Sequence, residues 1–156
     1  MNIYALSSGR GPSGIAIIRL SGPDTIEIGK KITKKKELYS DRLNLCKFFD
    51  PKNDKIIDEG ILLCFIKPNS FTGDNLLEFH IHGGNAVITY FLKVLSEEKN
   101  CRLAEPGEFT KNAFHNNKID LLEAESIGDL IHAETELQRS QAVTMAVSYT
   151  HLTLPT

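Results

Sequence analysis

Tryptophan is absent from the 156 residues, and no apolar run approaches the roughly 18–20 residues that a membrane-spanning helix needs. Cysteine is scarce: Cys46, Cys64 and Cys101 are odd in number, widely spaced and form no Cys-x-x-Cys. That excludes a disulfide framework and predicts buried thiols in a reduced compartment. An excess of positive charge is also missing. Lys plus Arg is 18 against 20 for Asp plus Glu, a net charge of −2, which disfavours a whole-domain electrostatic grip on nucleic acid. The first residues, Met1-Asn2-Ile3-Tyr4-Ala5-Leu6, carry no cationic stretch and too short an apolar one for a secretory leader, so a cytoplasmic protein is expected. No G-x-x-x-x-G-K-[ST] occurs, so the chain has no P-loop for a nucleotide triphosphate.

What is present fits one ordinary core. Hydrophobic residues at 41% and charged residues at 24% lie close to globular averages, which rules out disorder along the whole length. Residues 3–6, 15–20, 43–49, 56–66 and 76–82 read as strands, with Leu103 in a further short extended stretch. Asp50-Pro51-Lys52-Asn53-Asp54 has hairpin-loop chemistry. Helical spacing appears around Ile26, Ile28 and Ile32, over 86–95, and over 107–114, where Pro106 suits a first-turn position. Lys30, Lys31, Lys34, Lys35 and Lys36 read as a solvated helix end rather than a nucleic-acid patch. Asp120 and Glu123 have the form of a capping box. They open a helix expected to run to about residue 147, with Leu122, Ile127, Leu130 and Ile131 on its apolar side and Glu123, Glu125, Asp129, Glu134 and Glu136 on its solvated side. Residues 148–156 change composition abruptly and read as an appended tail, outside the fold. Strands with interspersed helices, ending in helix, argue for α+β and a mixed sheet with flanking helices.

Several residues are awkward for a purely structural role. Arg19 is the only charge in Ile15-Ala16-Ile17-Ile18-Arg19-Leu20, and Glu78 has the same status in Leu76-Leu77-Glu78-Phe79. A buried charge is costly unless paired, so these two either pair with each other across a sheet or frame a pocket for a ligand with donor and acceptor edges. Lys118 either extends from a loop into solvent or reaches an anion. Glu78, His80 and His82 share one strand face, which is compatible with a metal site or with a plain polar face. Gly9-Arg10-Gly11-Pro12-Ser13-Gly14 matches G-x-G-x-x-G, but a strand-like run follows it and Pro12 lacks a donor, so a tight inter-strand loop explains it better than a dinucleotide site.

Longer segments carry a resemblance. Gly14-Ile-Ala-Ile-Ile-Arg-Leu-Ser-Gly22, Pro68-Asn-Ser-Phe-Thr-Gly-Asp-Asn-Leu-Leu-Glu78, His82-Gly-Gly84, Arg102-Leu-Ala-Glu-Pro-Gly-Glu-Phe-Thr110 and Ala113-Phe-His-Asn-Asn-Lys-Ile-Asp-Leu121 together resemble the N-terminal part of the tRNA modification GTPases of the MnmE (TrmE) family. The resemblance covers about residues 1–147. It implies a folate-binding, homodimerising domain at 1–118, similar in fold to the aminomethyltransferases of glycine cleavage, and the first helix of a truncated helical domain at 119–147. It implies a tetrahydrofolate derivative (5-formyl or 5,10-methylene) held by Arg19, Glu78 and Lys118. It also implies partnership with the flavoprotein MnmG in modifying carbon 5 of the wobble uridine of certain tRNAs. GTP, magnesium and potassium would then belong to a GTPase domain absent from these residues, and most tRNA contacts would lie elsewhere. Asp74 departs from the family's usual Glu, and His80 occupies a position that the family varies. Two alternatives remain: a stand-alone aminomethyltransferase-like enzyme, and a dimerisation scaffold that has lost folate.

Overall fold

A computed structural model describes residues 1–9 and 13–131, with side chains placed through 127. The fold is α+β, with six strands and four helices: β1 (Asn2–Leu6), β2 (Ser13–Ser21), α1 (Thr25–Thr33), β3 (Asn44–Phe49), β4 (Ile56–Phe65), β5 (Leu76–Gly83), α2 (Asn85–Ser96), β6 (Cys101–Leu103), α3 (Glu108–His115) and α4 (Leu121–Ile131). Two compact units emerge. One comprises the described residues of Met1–Ser70 and Asp74–Glu105; the other comprises Phe71–Gly73 and the described residues from Pro106.

The first unit is built on one sheet in the order β3-β4-β5-β2-β1-β6. All neighbours are antiparallel except β1 and β6, so the sheet is mixed. Side chains alternate across a strand, which divides the sheet into two faces. Ile18 and Leu20 on β2, Leu62 and Cys64 on β4, and Leu77, Phe79 and Ile81 on β5 point to one face. Ile28 and Ile32 from α1, and Ile88, Phe91, Val94 and Leu95 from α2, complete the same core. Its centre is an aromatic trio. Phe79 lies 5.6 Å from Phe48 and 4.8 Å from Phe91, in edge-to-face and tilted arrangements. Such pairs contribute about 0.5–1.5 kcal/mol beyond their area.

Polar groups tie the periphery. Asn2 is fully buried; its Oδ1 accepts from the Asp24 amide, and its Nδ2 donates to Asp24 and to the Asn100 carbonyl. One side chain thus anchors the start of α1 and the approach to β6. At the β3–β4 hairpin, the Asp50 carboxylate accepts from the Lys52 amide at 3.0 Å and from the Tyr90 hydroxyl at 2.8 Å. These contacts, the Lys52 amide first, hold Asp50 below the usual carboxylate range. Gly60 is required by packing, because a Cβ there would fall on the carbonyl oxygen of His80 in the adjoining strand.

Several sequence expectations gain detail. The lysines at the end of α1 are solvated as expected, and two of them also pair: Lys31 with Glu98 at 2.8 Å, and Lys34 with Asp54 while resting over the Phe49 ring. Helix α3 begins at Glu108, with Gly107 before it at φ +76°, a left-handed conformation that cannot continue a helix backward to Pro106. Burial pushes the Cys46 and Cys101 thiols up to about 11 and raises that of Cys64 as well, so all three stay protonated.

In the second unit, Asp120 does cap α4: its Oδ1 accepts from the Glu123 amide at 2.8 Å. The expected solvated side is wrong at Glu123, which is only 5% exposed, whereas Leu121 and Leu122 are 59% and 44% exposed. The cap fixes the rotational phase of the helix, and that phase turns Glu123 and Ser126 inward. The stretch 132–147, where the helix is expected to continue, and the tail 148–156 lie outside the described residues. No helix among the described residues is long and apolar enough to cross a membrane.

Candidate functional site

The sheet face away from α1 and α2 carries the awkward charges. Antiparallel pairing of β2 with β5 sets Arg19 directly opposite Glu78. Arg19 Nη2 donates to Glu78 Oε1 at 3.1 Å. The side chains are 26% and 17% exposed, so the pair is largely shielded without being sealed. Of the two readings open from sequence, mutual pairing is realised, and it does not preclude a ligand. An ionised carboxylate offers about four acceptor directions, and the arginine uses one.

His80 uses another. It lies two residues from Glu78 on the same strand face, and its Nε2 is 3.3 Å from Glu78 Oε2. The strand partners of this trio are apolar. Leu63 on β4 stands across from Glu78, while Ile61 on β4 and Ile17 on β2 flank His80. The result is a small polar cluster among aliphatic cross-strand neighbours, the mixture common at sites that bind small organic ligands.

His82 turns elsewhere. Asp58 accepts from the His82 amide at 2.8 Å and meets ring Nδ1 at 2.9 Å. The two histidines therefore face different carboxylates, which favours the plain polar face over a shared metal site. Burial pushes the Asp58 carboxyl up, but hydrogen bonds from the His82 amide and ring and from the Glu59 amide outweigh this and hold it below the usual range. Its stabilising contribution is therefore present above the unfolded aspartate pKa of about 3.9 and is lost as pH falls through the lower folded value. Asp58→Asn is expected to be less stable than the parent at pH 7, with the gap closing below about pH 4. Urea midpoints at pH 7 and pH 3 check this, and a gap of the same size at both would refute the ionic contribution.

Lys118 belongs to the second unit. Asn116-Asn117-Lys118 forms the C-terminal cap of α3: Asn117 adopts φ +58°, and the Lys118 amide donates to the Ala113 carbonyl at 2.8 Å. This is the hydrogen bond of a Schellman motif. Asn116 Nδ2 donates to the Thr72 carbonyl at 2.7 Å. Gly73, at φ +83°, leaves room for this arrangement, since a Cβ there would press on Asn116 and on Lys118 Cγ. The local geometry thus fixes the backbone of Lys118 while its side chain stays exposed.

Sequence reasoning found Arg19 and Glu78 because each is a lone charge in an apolar run. It missed His80 as a partner of Glu78, although the spacing of two on one strand carried that signal. It missed Asp58 because the pairing with His82 depends on how β4 meets β5. A separate cavity of about 700 Å3 opens between the β3–β4 hairpin and α2. Its lining charges are Asp50, Lys52, Lys93 and Glu97, which cancel, and Lys52 is already paired with Glu97 at 2.7 Å. It offers no net charge by which to select an ion.

Comparison with known proteins gives a consistent picture. Residues 2–118 match the sequence family described as "GTP-binding protein TrmE N-terminus". The chain is 54% identical over 143 residues to the "tRNA modification GTPase MnmE" of Pelagibacter ubique, which covers 92% of this chain and 32% of that protein. It is 47% identical over 141 residues to the protein of that name from Parvibaculum lavamentivorans, covering 90% and 32%. For the one from Mesorhizobium japonicum the identity is 44% over 142 residues, covering 91% and 32%. The chain thus spans about a third of the length of these relatives.

Proposed function

Because this chain belongs to the family of the TrmE N-terminus, whose similar full-length proteins are named tRNA modification GTPases, we propose that it is the tetrahydrofolate-binding and homodimerising module of such a GTPase. In this reading the longer protein, with the flavoprotein MnmG, modifies carbon 5 of the wobble uridine of certain tRNAs. GTP hydrolysis, with its magnesium and potassium, resides in other parts of that protein. The module acts in the cytoplasm, and its fold is akin to that of the folate-binding aminomethyltransferases.

The observation that carries the reading is the Glu78 carboxylate, held by Arg19 and walled by Leu63, Ile61 and Ile17 on the second sheet face. The residues suit a reduced pterin. Its ring N–H and amino group lie side by side, and an ionised carboxylate accepts from both at once. The apolar neighbours favour burial of the flat ring. Arg19 and Lys118 supply cationic donors for the ring carbonyl and the carboxylates of the tail. When bound, the folate supplies a one-carbon unit. The chain's own part is to hold and orient it, and to join two protomers.

The test is calorimetric titration of the chain with 5-formyltetrahydrofolate, with Arg19→Ala alongside. Saturable binding that falls about tenfold or more in the variant is expected, the scale of a lost hydrogen bond between charged groups. A folded wild-type chain that takes up no folate would reject the folate reading and leave a scaffold. Sedimentation of the same samples tests the dimer.

A further inference from the structure

Resting on the folate reading, we infer that His80 is a positioning residue of the site, which fixes the plane in which Glu78 presents its acceptors to the ligand. Three observations converge. First, both oxygens of Glu78 are engaged, Oε1 from the adjoining strand by Arg19 at 3.1 Å and Oε2 along its own strand by His80 Nε2 at 3.3 Å. Second, His80 has little freedom to leave. Its side chain is 24% exposed, and its cross-strand neighbours on both sides, Ile17 and Ile61, are aliphatic and offer it no other polar partner. Third, the nearby carboxylate of Asp58 on β4 is taken by the His82 amide and ring.

A carboxylate only accepts, so the contact requires the proton of His80 on Nε2. The terminal torsion of a glutamate is broad and weakly restrained. Held at one oxygen by Arg19 alone, the carboxylate group can swing. Held at both, the carboxylate plane, which contains its two remaining acceptor directions, keeps one orientation, and simultaneous acceptance from an adjacent N–H and amino group demands that orientation. His80 thus acts through Glu78 and need not touch the ligand.

The experiment is a double-mutant cycle read by calorimetric titration with 5-formyltetrahydrofolate, using His80→Leu, His80→Gln, Glu78→Ala and Glu78→Ala/His80→Leu. His80→Leu is expected to weaken binding by about 10-fold, the lower end for one lost hydrogen bond to a charged group, because the contact acts only through Glu78. His80→Gln, which retains an N–H donor of similar length, restores binding to within about threefold of the parent. In the Glu78→Ala background the leucine substitution changes nothing further, because its target is gone. Three results would overturn the inference while leaving the folate reading intact: unchanged affinity in His80→Leu, no rescue by His80→Gln, or effects of the two positions that simply multiply. Failure of the parent chain to bind folate would overturn both. Should His80→Leu not fold, His80→Gln against a non-donating His80→Met decides the same point.

Discussion

Phe79→Ala is expected to destabilise the chain by about 3–5 kcal/mol, the cost of deleting a fully buried aromatic ring. Phe79 is 0% exposed and sits in β5, next to both β2 and β4 in the sheet. Its register partners Ile18 and Leu62 are also buried, and Phe48 and Phe91 press on it from β3 and α2. Neighbours tied into strands on both sides collapse poorly into the vacated space, so the cavity term adds to the lost transfer energy. Against a total of about 5–15 kcal/mol for an ordinary domain, this leaves a marginal protein. Urea unfolding measures it, and a loss below about 1 kcal/mol would contradict the packing described. The position also matters for function. Phe79 lies between Glu78 and His80 in sequence and faces the opposite way, so the core on one face of β5 holds the site on the other.

Glu78→Ala has the second large effect, on binding rather than on stability. Affinity for 5-formyltetrahydrofolate is expected to fall by about 1.5–3 kcal/mol, or roughly 10- to 150-fold in Kd. Glu78→Gln tests the chemistry more sharply. It keeps the shape but replaces one acceptor with a donor facing the ligand's own donors, so it should bind no better than the alanine variant. Stability should move less. A cross-strand ion pair that is partly solvated contributes about 0.2–1 kcal/mol, although its loss also strands the Arg19 charge. A Kd unchanged in either variant would remove Glu78 from the site. A large fall in stability with no fall in affinity would reduce Arg19–Glu78 to a structural ion pair.

The comparison between the two positions explains what was legible in advance. The strands of the first unit, the hairpin at Asp50–Asp54 and helices α1 and α2 follow from β-branched runs, turn residues and helical spacing, all of which are local. So does the suspicion attached to Arg19 and Glu78, since a single charge in an apolar run is visible without any partner. The family itself is carried by contiguous segments such as Pro68 to Glu78 and Ala113 to Leu121.

Other features were decided only when the chain folded. That Arg19 faces Glu78 is a matter of register, and a slip of one residue would have put the two on opposite faces of the sheet. Asp58 meets His82 across 24 residues of sequence, where β4 and β5 come together. Gly60 looks dispensable until the His80 carbonyl fills the space its side chain would need. Asn2 seems an ordinary polar residue near the start of the chain, yet it is fully buried because Asp24 and Asn100 converge on it. Spacing alone predicts a solvated Glu123, yet it is buried in the helix that Asp120 caps. Local sequence dictates which segments become strands and helices, and which side chains are too polar for their surroundings, because both depend on neighbours a few residues away. Which of those side chains meet, and which face they share, depends on strand order, register and helix phase, and these are fixed only by packing between residues far apart in the chain.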